Sequence, residues 1–179
     1  MKPIGPLMRE HRLIERMLRL FEGEIGKIND SDKVDMVFID MAVDFIRTYA
    51  DRTHHGKEED ILFRDLAKKH LSPEHARIMK ELIEEHEYSR ETVRKLVEAK
   101  ESCLKGDDAA QEVIAHLQEL ARFYPVHIQK EDKHFFYPCL EYFTKEEQDG
   151  ILVEFHEFDR NMIHEKYGKV VERLEARSL

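Results

Sequence analysis

Six residues of this chain have the types and spacing that metal chemistry requires: His11, His54, Glu58, His86, His127 and Glu131. Histidine is in excess, at 11 of 179 residues. Four of these histidines fall where a helical apolar seam would place a core residue. A histidine at i and a glutamate at i+4 share one helix face, with a rise of about 6 Å between them. This HxxxE spacing occurs twice, at His54–Glu58 and His127–Glu131. Burying a charged carboxylate without a partner is very costly. Six such groups at corresponding places on four helices therefore point to a shared metal site. Imidazole and carboxylate without thiolate suit iron, manganese or zinc. Two carboxylates that can bridge favour a pair of ions about 3.5–4 Å apart.

Helical periodicity dominates the elements that must carry these groups. The spacing predicts a first helix over residues 3–27, with the seam Leu7, His11, Ile14, Leu18, Phe21, Ile25 and Ile28. The turn 29–32 has N-cap chemistry for a second helix over 33–69. Its stripe runs from Met36, Ile39, Val43, Ile46 and Ala50 on through His54, Glu58, Ile61 and Asp65, with an irregularity expected at Gly56. Ser72 and Pro73 open a third helix, with the seam Met79, Leu82, His86, Ser89, Val93 and Leu96, and Gly106 ends it. A fourth helix over 109–142 carries Val113, Leu117, Leu120, Tyr124, His127, Glu131 and His134 on one stripe. Pro125 predicts a kink there and Pro138 a break. Thr144 to Glu147 is a capping box that opens a fifth helix to about residue 175, with Leu152, His156, Asp159, Ile163, Tyr167, Val170 and Leu174 on one side.

The segments beginning at His54 and His127 match at the histidine, the lysine, both acids and an aromatic, and those around His11 and His86 match more weakly. Repeated helical hairpins with short connections imply a pseudo-symmetric, antiparallel four-helix bundle. The whole chain, 1–179, is read as one all-α domain, with an up-down-up-down core over 3–142 and the extra helix over 144–177.

Composition excludes other classes. Charged residues make up 37% of the chain, with only 7 Gly and 5 Pro, which disfavours turn-rich sandwiches and barrels. A net charge of −9 with no basic stripe argues against nucleic acid as a partner. No apolar run is long enough for a membrane span, and no signal peptide is expected at the N-terminus. Cys103 and Cys139 form no CxxC pair and suit a reducing cytoplasm.

The combination of two HxxxE motifs with His11 and His86 resembles the hemerythrin-like (HHE cation-binding) family, over about residues 7–140. The resemblance implies a bundle enclosing a non-haem di-iron centre. Glu58 and Glu131 would bridge the irons, and His11, His54, His86 and His127 would be terminal ligands. The oxygen-carrying hemerythrins place a second histidine one turn from the helix-three ligand, where this chain has Leu82 and Arg90. Four imidazoles and two bridging carboxylates fill about eight of the twelve positions on two octahedral ions. A bridging oxide or hydroxide takes two more, leaving about two for water, O2 or NO. Ferritin-like proteins need Glu-x-x-His on two helices, and only Glu131–His134 fits.

The remaining histidines have ordinary readings. His55 with Glu59 is a shifted HxxxE competing with His54 and Glu58. His70, His75, His116 and His164 are expected in solvent; His134 lies on the ligand stripe one turn further, where a place behind the ligands is only an alternative; and His156 is expected to pack, or to stand behind the ligands, from the fifth helix. Tyr88 and Tyr124 are expected to pack, and Glu84–Glu85 to be a solvated face. Three function classes stay open. One binds or senses O2 or NO, or handles iron. Another is a redox enzyme of peroxide or NO detoxification or iron–sulfur repair. The third is a regulatory interaction module folded by metal, whose protein partner the sequence does not identify. The fifth helix is expected to cover the bundle near the open end of the metal site and limit solvent access; the alternatives are that it caps exposed apolar surface or makes a homodimer contact.

Overall fold

The structure, a computed structural model, describes the backbone of residues 2–177 and the side chains of residues 2–162 and Lys166. Helix α1 is Ile4–Ser31. Helix α2 begins as Met36–Phe45, winds as a π-helix over Ile46–His55 and again over Glu58–Phe63, and closes with Arg64–Leu66. Helix α3 is Pro73–Lys105. Helix α4 runs through Ala110–Lys130, a π-turn Glu131–Phe135 and Phe136–Cys139, and ends in a 3-10 turn Leu140–Tyr142. Helix α5 is Lys145–Arg177. Among the described residues there is no strand, and no helix is long and apolar enough to cross a membrane.

The caps follow local chemistry. Ser72 accepts from the His75 amide, and Gly106 ends α3 in the left-handed region at φ 93°. Thr144 and Glu147 cap each other's amides at 2.9 and 3.3 Å. The start of α2 differs from expectation. Helix α1 continues to Ser31, and Asp32 closes it at φ 55° with its amide on the Ile28 carbonyl. Asp35 then caps α2, accepting from the Val37 and Phe38 amides at 3.0 and 3.1 Å. Pro125 lies on the exposed side of α4, inside a helix that continues to Lys130.

Two apolar clusters show the antiparallel order. One joins the second half of α1 (Ile14 to Ile28), the first half of α2 (Ile39 to Ala50), the end of α3 (Val93 to Ala99) and the start of α4 (Ala110 to Ile128). The other joins the start of α1 (Ile4, Leu7), the end of α2 (Ile61 to Leu66), the start of α3 (Ile78, Leu82) and the end of α4 (Phe135 to Leu140). Four helices alternating up and down give this pairing of ends. Between the clusters lies a layer of buried histidine and glutamate. Ile151 and Phe155 of α5 join the second cluster.

The π-turns shift the phase of the seams. A hydrogen bond from i to i−5 adds a residue to the turn, as where the Gly56 amide reaches the Asp51 carbonyl. The α2 stripe therefore passes to Leu62 and Leu66, and Asp65 pairs with Arg64 at 2.9 Å at the surface. In α4 the π-turn brings Phe135 inward and leaves His134 exposed. Helix α5 lies along these π segments. A Cβ on Gly56 would sit 2.7 Å from the Phe158 ring, so glycine permits the approach. His156, expected on the packed side, is exposed. The expectations for Ile163, His164, Tyr167, Val170 and Leu174 lie outside the described side chains.

Replacing Asp35 by alanine removes two acceptors from the α2 N-terminus and should cost about 1 kcal/mol in urea unfolding. Asp30→Ala, in the last turn of α1, should change stability by less than about 0.5 kcal/mol. Equal losses in the two variants would contradict the observed cap.

Candidate metal centre

The middle layer of the bundle brings His11, His54, Glu58, His86, His127 and Glu131 together, each no more than 1% exposed. Each helix of the core supplies one of the four histidines, and the two HxxxE pairs supply the glutamates from α2 and α4. The inner edge of every imidazole is Nε2. His11 Nε2 lies 3.1 Å from Glu131 Oε2, and His54 Nε2 lies 3.3 Å from Glu58 Oε1. His86 Nε2 lies 3.4 Å from Glu58 Oε2, and His127 Nε2 lies 3.3 Å from Glu131 Oε1. Each carboxylate thus turns one oxygen toward α1 and α2 and the other toward α3 and α4. None of these four Nε2 atoms or four carboxylate oxygens makes a hydrogen bond.

The outer nitrogens are all engaged. His54 Nδ1 donates to Glu10 at 2.9 Å, His86 Nδ1 to Glu59 at 2.6 Å, His127 Nδ1 to Glu85 at 2.8 Å, and His11 Nδ1 to Asp132 at 2.8 Å. In each case the carboxylate belongs to the preceding helix of the bundle, and α4 closes the circuit back onto α1. Each carboxylate also takes a cation from the helix whose histidine it holds. These are Lys57 on Glu10, Arg90 on Glu59 at 2.7 Å, Lys130 on Glu85 and Arg12 on Asp132. A carboxylate only accepts, so Nδ1 carries a proton, and in the neutral ring Nε2 keeps its lone pair. That is the tautomer a metal needs, with the carboxylate partner that metal-bound histidines characteristically have.

Burial opposes charge on His11, but Asp132 and Glu131 outweigh it and raise this group to about 9. Burial and the nearby His11 push His54 down to about 4. Two carboxylates side by side and out of water cannot both ionise cheaply. Burial and the neighbouring Glu131 push Glu58 well up, whereas His127, His11 and His86 hold Glu131 well down against burial. Divalent cations would relieve this crowding of lone pairs. The residues present therefore fit a metal centre, in two donor groups that share no residue: His11, His54, Glu58 and Glu131, and His55, His86 and His127.

His55 is the addition. It is buried beside His54 and does not replace it, because the π winding of Ile46–His55 turns two consecutive side chains inward. The four outer carboxylates were legible only as sequence neighbours of ligand candidates: Glu10 before His11, Glu59 after Glu58, Glu85 before His86, Asp132 after Glu131. Glu85, expected on a solvated face, reaches across to α4 instead. His75, expected in solvent, is half-buried with Nδ1 2.8 Å from the Tyr142 hydroxyl. Tyr124 packs as expected, its hydroxyl 2.8 Å from Ser89 Oγ.

The sequence model of the hemerythrin HHE cation-binding domain matches residues 2–137, the four-helix core without α5. Among curated proteins and solved structures, nothing matches the chain.

The outer circuit should control metal affinity. Glu85→Ala and Asp132→Ala should each weaken divalent-cation binding by about 10–100-fold, the usual consequence of losing the partner of a metal-bound histidine. Glu84→Ala, an exposed change beside the first, should leave it unaltered. An anaerobic titration against a competing chelator reads all three.

Proposed function

The chain belongs to the hemerythrin HHE cation-binding domain family, and from that premise we propose that its core holds two iron ions and binds or senses a small diatomic ligand, O2 or NO. The observation that carries this reading is the convergence of four Nε2 atoms and four carboxylate oxygens with no hydrogen-bond partner. His11 and His54 would hold one ion, His86 and His127 the other, and Glu58 and Glu131 would bridge them through the oxygens already turned to each side. Bound iron would supply a reducible centre with affinity for such ligands.

The protein's own residues determine what reaches that centre. The apolar clusters above and below the layer keep bulk water out. Donors that are nearly inaccessible favour a diatomic ligand over a bulky substrate. The Nδ1–carboxylate bonds hold each neutral imidazole in the tautomer whose inner nitrogen is free to bind a metal. The outer cations in turn hold the carboxylates ionised. Arg90 and His86 do so for Glu59, and His127 and Lys130 for Glu85, against the effect of burial.

Protein purified without chelators should carry about two iron ions per chain. His54→Ala and His127→Ala should lose most of that iron, while His70→Ala, an exposed change, should retain it. Anaerobic titration of the diferrous protein with O2 and NO tests the function itself. A reversible, ligand-dependent visible spectrum supports binding or sensing. Rapid irreversible oxidation with turnover of peroxide or NO would replace this reading with a redox enzyme. An iron content of one per chain would defeat the dinuclear centre.

A further inference from the structure

We propose that the second half of α5, from Phe158 onward, is a strap whose docking on α2 and cation binding beside His54 strengthen each other, with Asp159 as the positioning residue that couples them. The inference rests on the metal reading above in needing a cation on His54, and it makes occupancy of that corner readable at the protein surface. Three observations carry it.

The first is a buried ammonium. Lys57 is wholly buried, which a lysine tolerates only when paired. Two carboxylates from different helices hold it, Glu10 of α1 and Asp159 of α5, the latter at 2.7 Å. Glu10 accepts in turn from His54 Nδ1 at 2.9 Å. A continuous chain of contacts thus runs from α5 to a metal-facing imidazole. The cations at the other three corners, Arg12, Arg90 and Lys130, take their described carboxylate partners from α1–α4. The second observation is how α5 is attached. Ile151 and Phe155 anchor its first half in the apolar core. Its second half crosses α2 with Phe158 against Gly56, Asp159 on Lys57, and Lys166 on Asp44 at 2.7 Å at the surface. Two clefts border this crossing. One, of about 700 Å³, is lined by Phe45, Tyr49, Asp159 and Met162, and the other, of about 440 Å³, by Asp51, Gly56, Phe158 and Asn161. A segment with so few apolar contacts opens at lower cost than the core beside it.

The third observation is charge. With the strap down, Glu10, Lys57 and Asp159 together carry one net negative charge beside His54. Lifting the strap withdraws Asp159 and leaves Glu10 and Lys57 as a neutral pair. A cation at the inner nitrogen of His54 is therefore attracted by the closed arrangement more than by the open one. The attraction acts between groups held out of water, where it is weakly screened. Coupling between two binding events is reciprocal. A cation on His54 thus holds the strap down, and its loss frees the strap and opens Gly56 and Lys57 to solvent.

The test uses Asp159→Asn, which keeps the size of the side chain and removes its charge, and Glu154→Gln, which breaks the pair with Arg64 in the anchored half. Cobalt(II) is titrated into metal-depleted full-length protein against a chelator, and backbone hydrogen exchange is followed with and without the cation. In the wild type, cobalt should slow exchange over residues 158–177 by about 5-fold or more, the lower end of usual couplings between sites. Asp159→Asn should bind cobalt more weakly by a similar factor, and cobalt should then slow exchange in α1–α4 but no longer in the strap. Glu154→Gln should match the wild type in both. Unchanged affinity in Asp159→Asn, or a strap response to cobalt that is absent in the wild type or persists in the variant, would overturn the proposal. One cobalt ion per chain with the strap response intact would overturn the two-ion reading and leave the strap standing, whereas no bound cation would overturn both.

Discussion

The hydrogen bond from each outer Nδ1 to a carboxylate on the preceding helix decides which nitrogen of the neutral ring keeps its lone pair, and so which way the centre faces. Such a bond to a charged group is worth about 1.5–3 kcal/mol. Four of them in a closed circuit tie α1 to α2, α2 to α3, α3 to α4 and α4 back to α1. Apolar packing sets the distance between helices but leaves them free to slide. The circuit removes that freedom, because a helix displaced along its axis would leave one imidazole and one carboxylate unpaired at low dielectric. The register that satisfies the outer nitrogens is also the one that brings the inner ones together.

The circuit's four corners are alike in chemistry and unlike in setting. Arg12, Arg90 and Lys130 remain 55%, 38% and 24% exposed, whereas Lys57 is wholly buried. The difference comes from α5, which crosses α2 at Gly56, lays Phe158 against it and reaches Lys57 with Asp159 at 2.7 Å. A buried ammonium held by two carboxylates is tolerable where a lone one would not be. Among the described residues, α5 thus pairs with the corner that holds His54, while Arg12, Arg90 and Lys130 keep part of their surface in solvent.

Backbone winding is the second device. A regular α-helix carrying His54 and Glu58 inward would turn His55 about 100° away. The π segments of α2 admit both histidines, and the π-turn of α4 sets Glu131 and Phe135 inward in succession. Local winding of this kind is uncommon and concentrates at functional sites. Here it occurs in the two helices that carry the HxxxE pairs.

Much of this was legible in the amino-acid sequence. Apolar residues at steps of three and four define four seams, and burial along a seam depends only on local periodicity. A histidine on a seam at Leu7–His11–Ile14 or Leu82–His86–Ser89 must go inside for the same reason that its neighbours do. HxxxE is likewise a statement about a single helix. Three things depended on tertiary structure. The partnership of Glu10, Glu59, Glu85 and Asp132 with histidines 27 to 121 positions away joins different helices, and no spacing within one helix encodes it. The inward turn of His55, and the outward turn of His134, follow from π winding, which composition does not announce. The burial of Lys57 waits on α5, because a lysine on a charged helix face looks solvated until another helix covers it and supplies the second carboxylate.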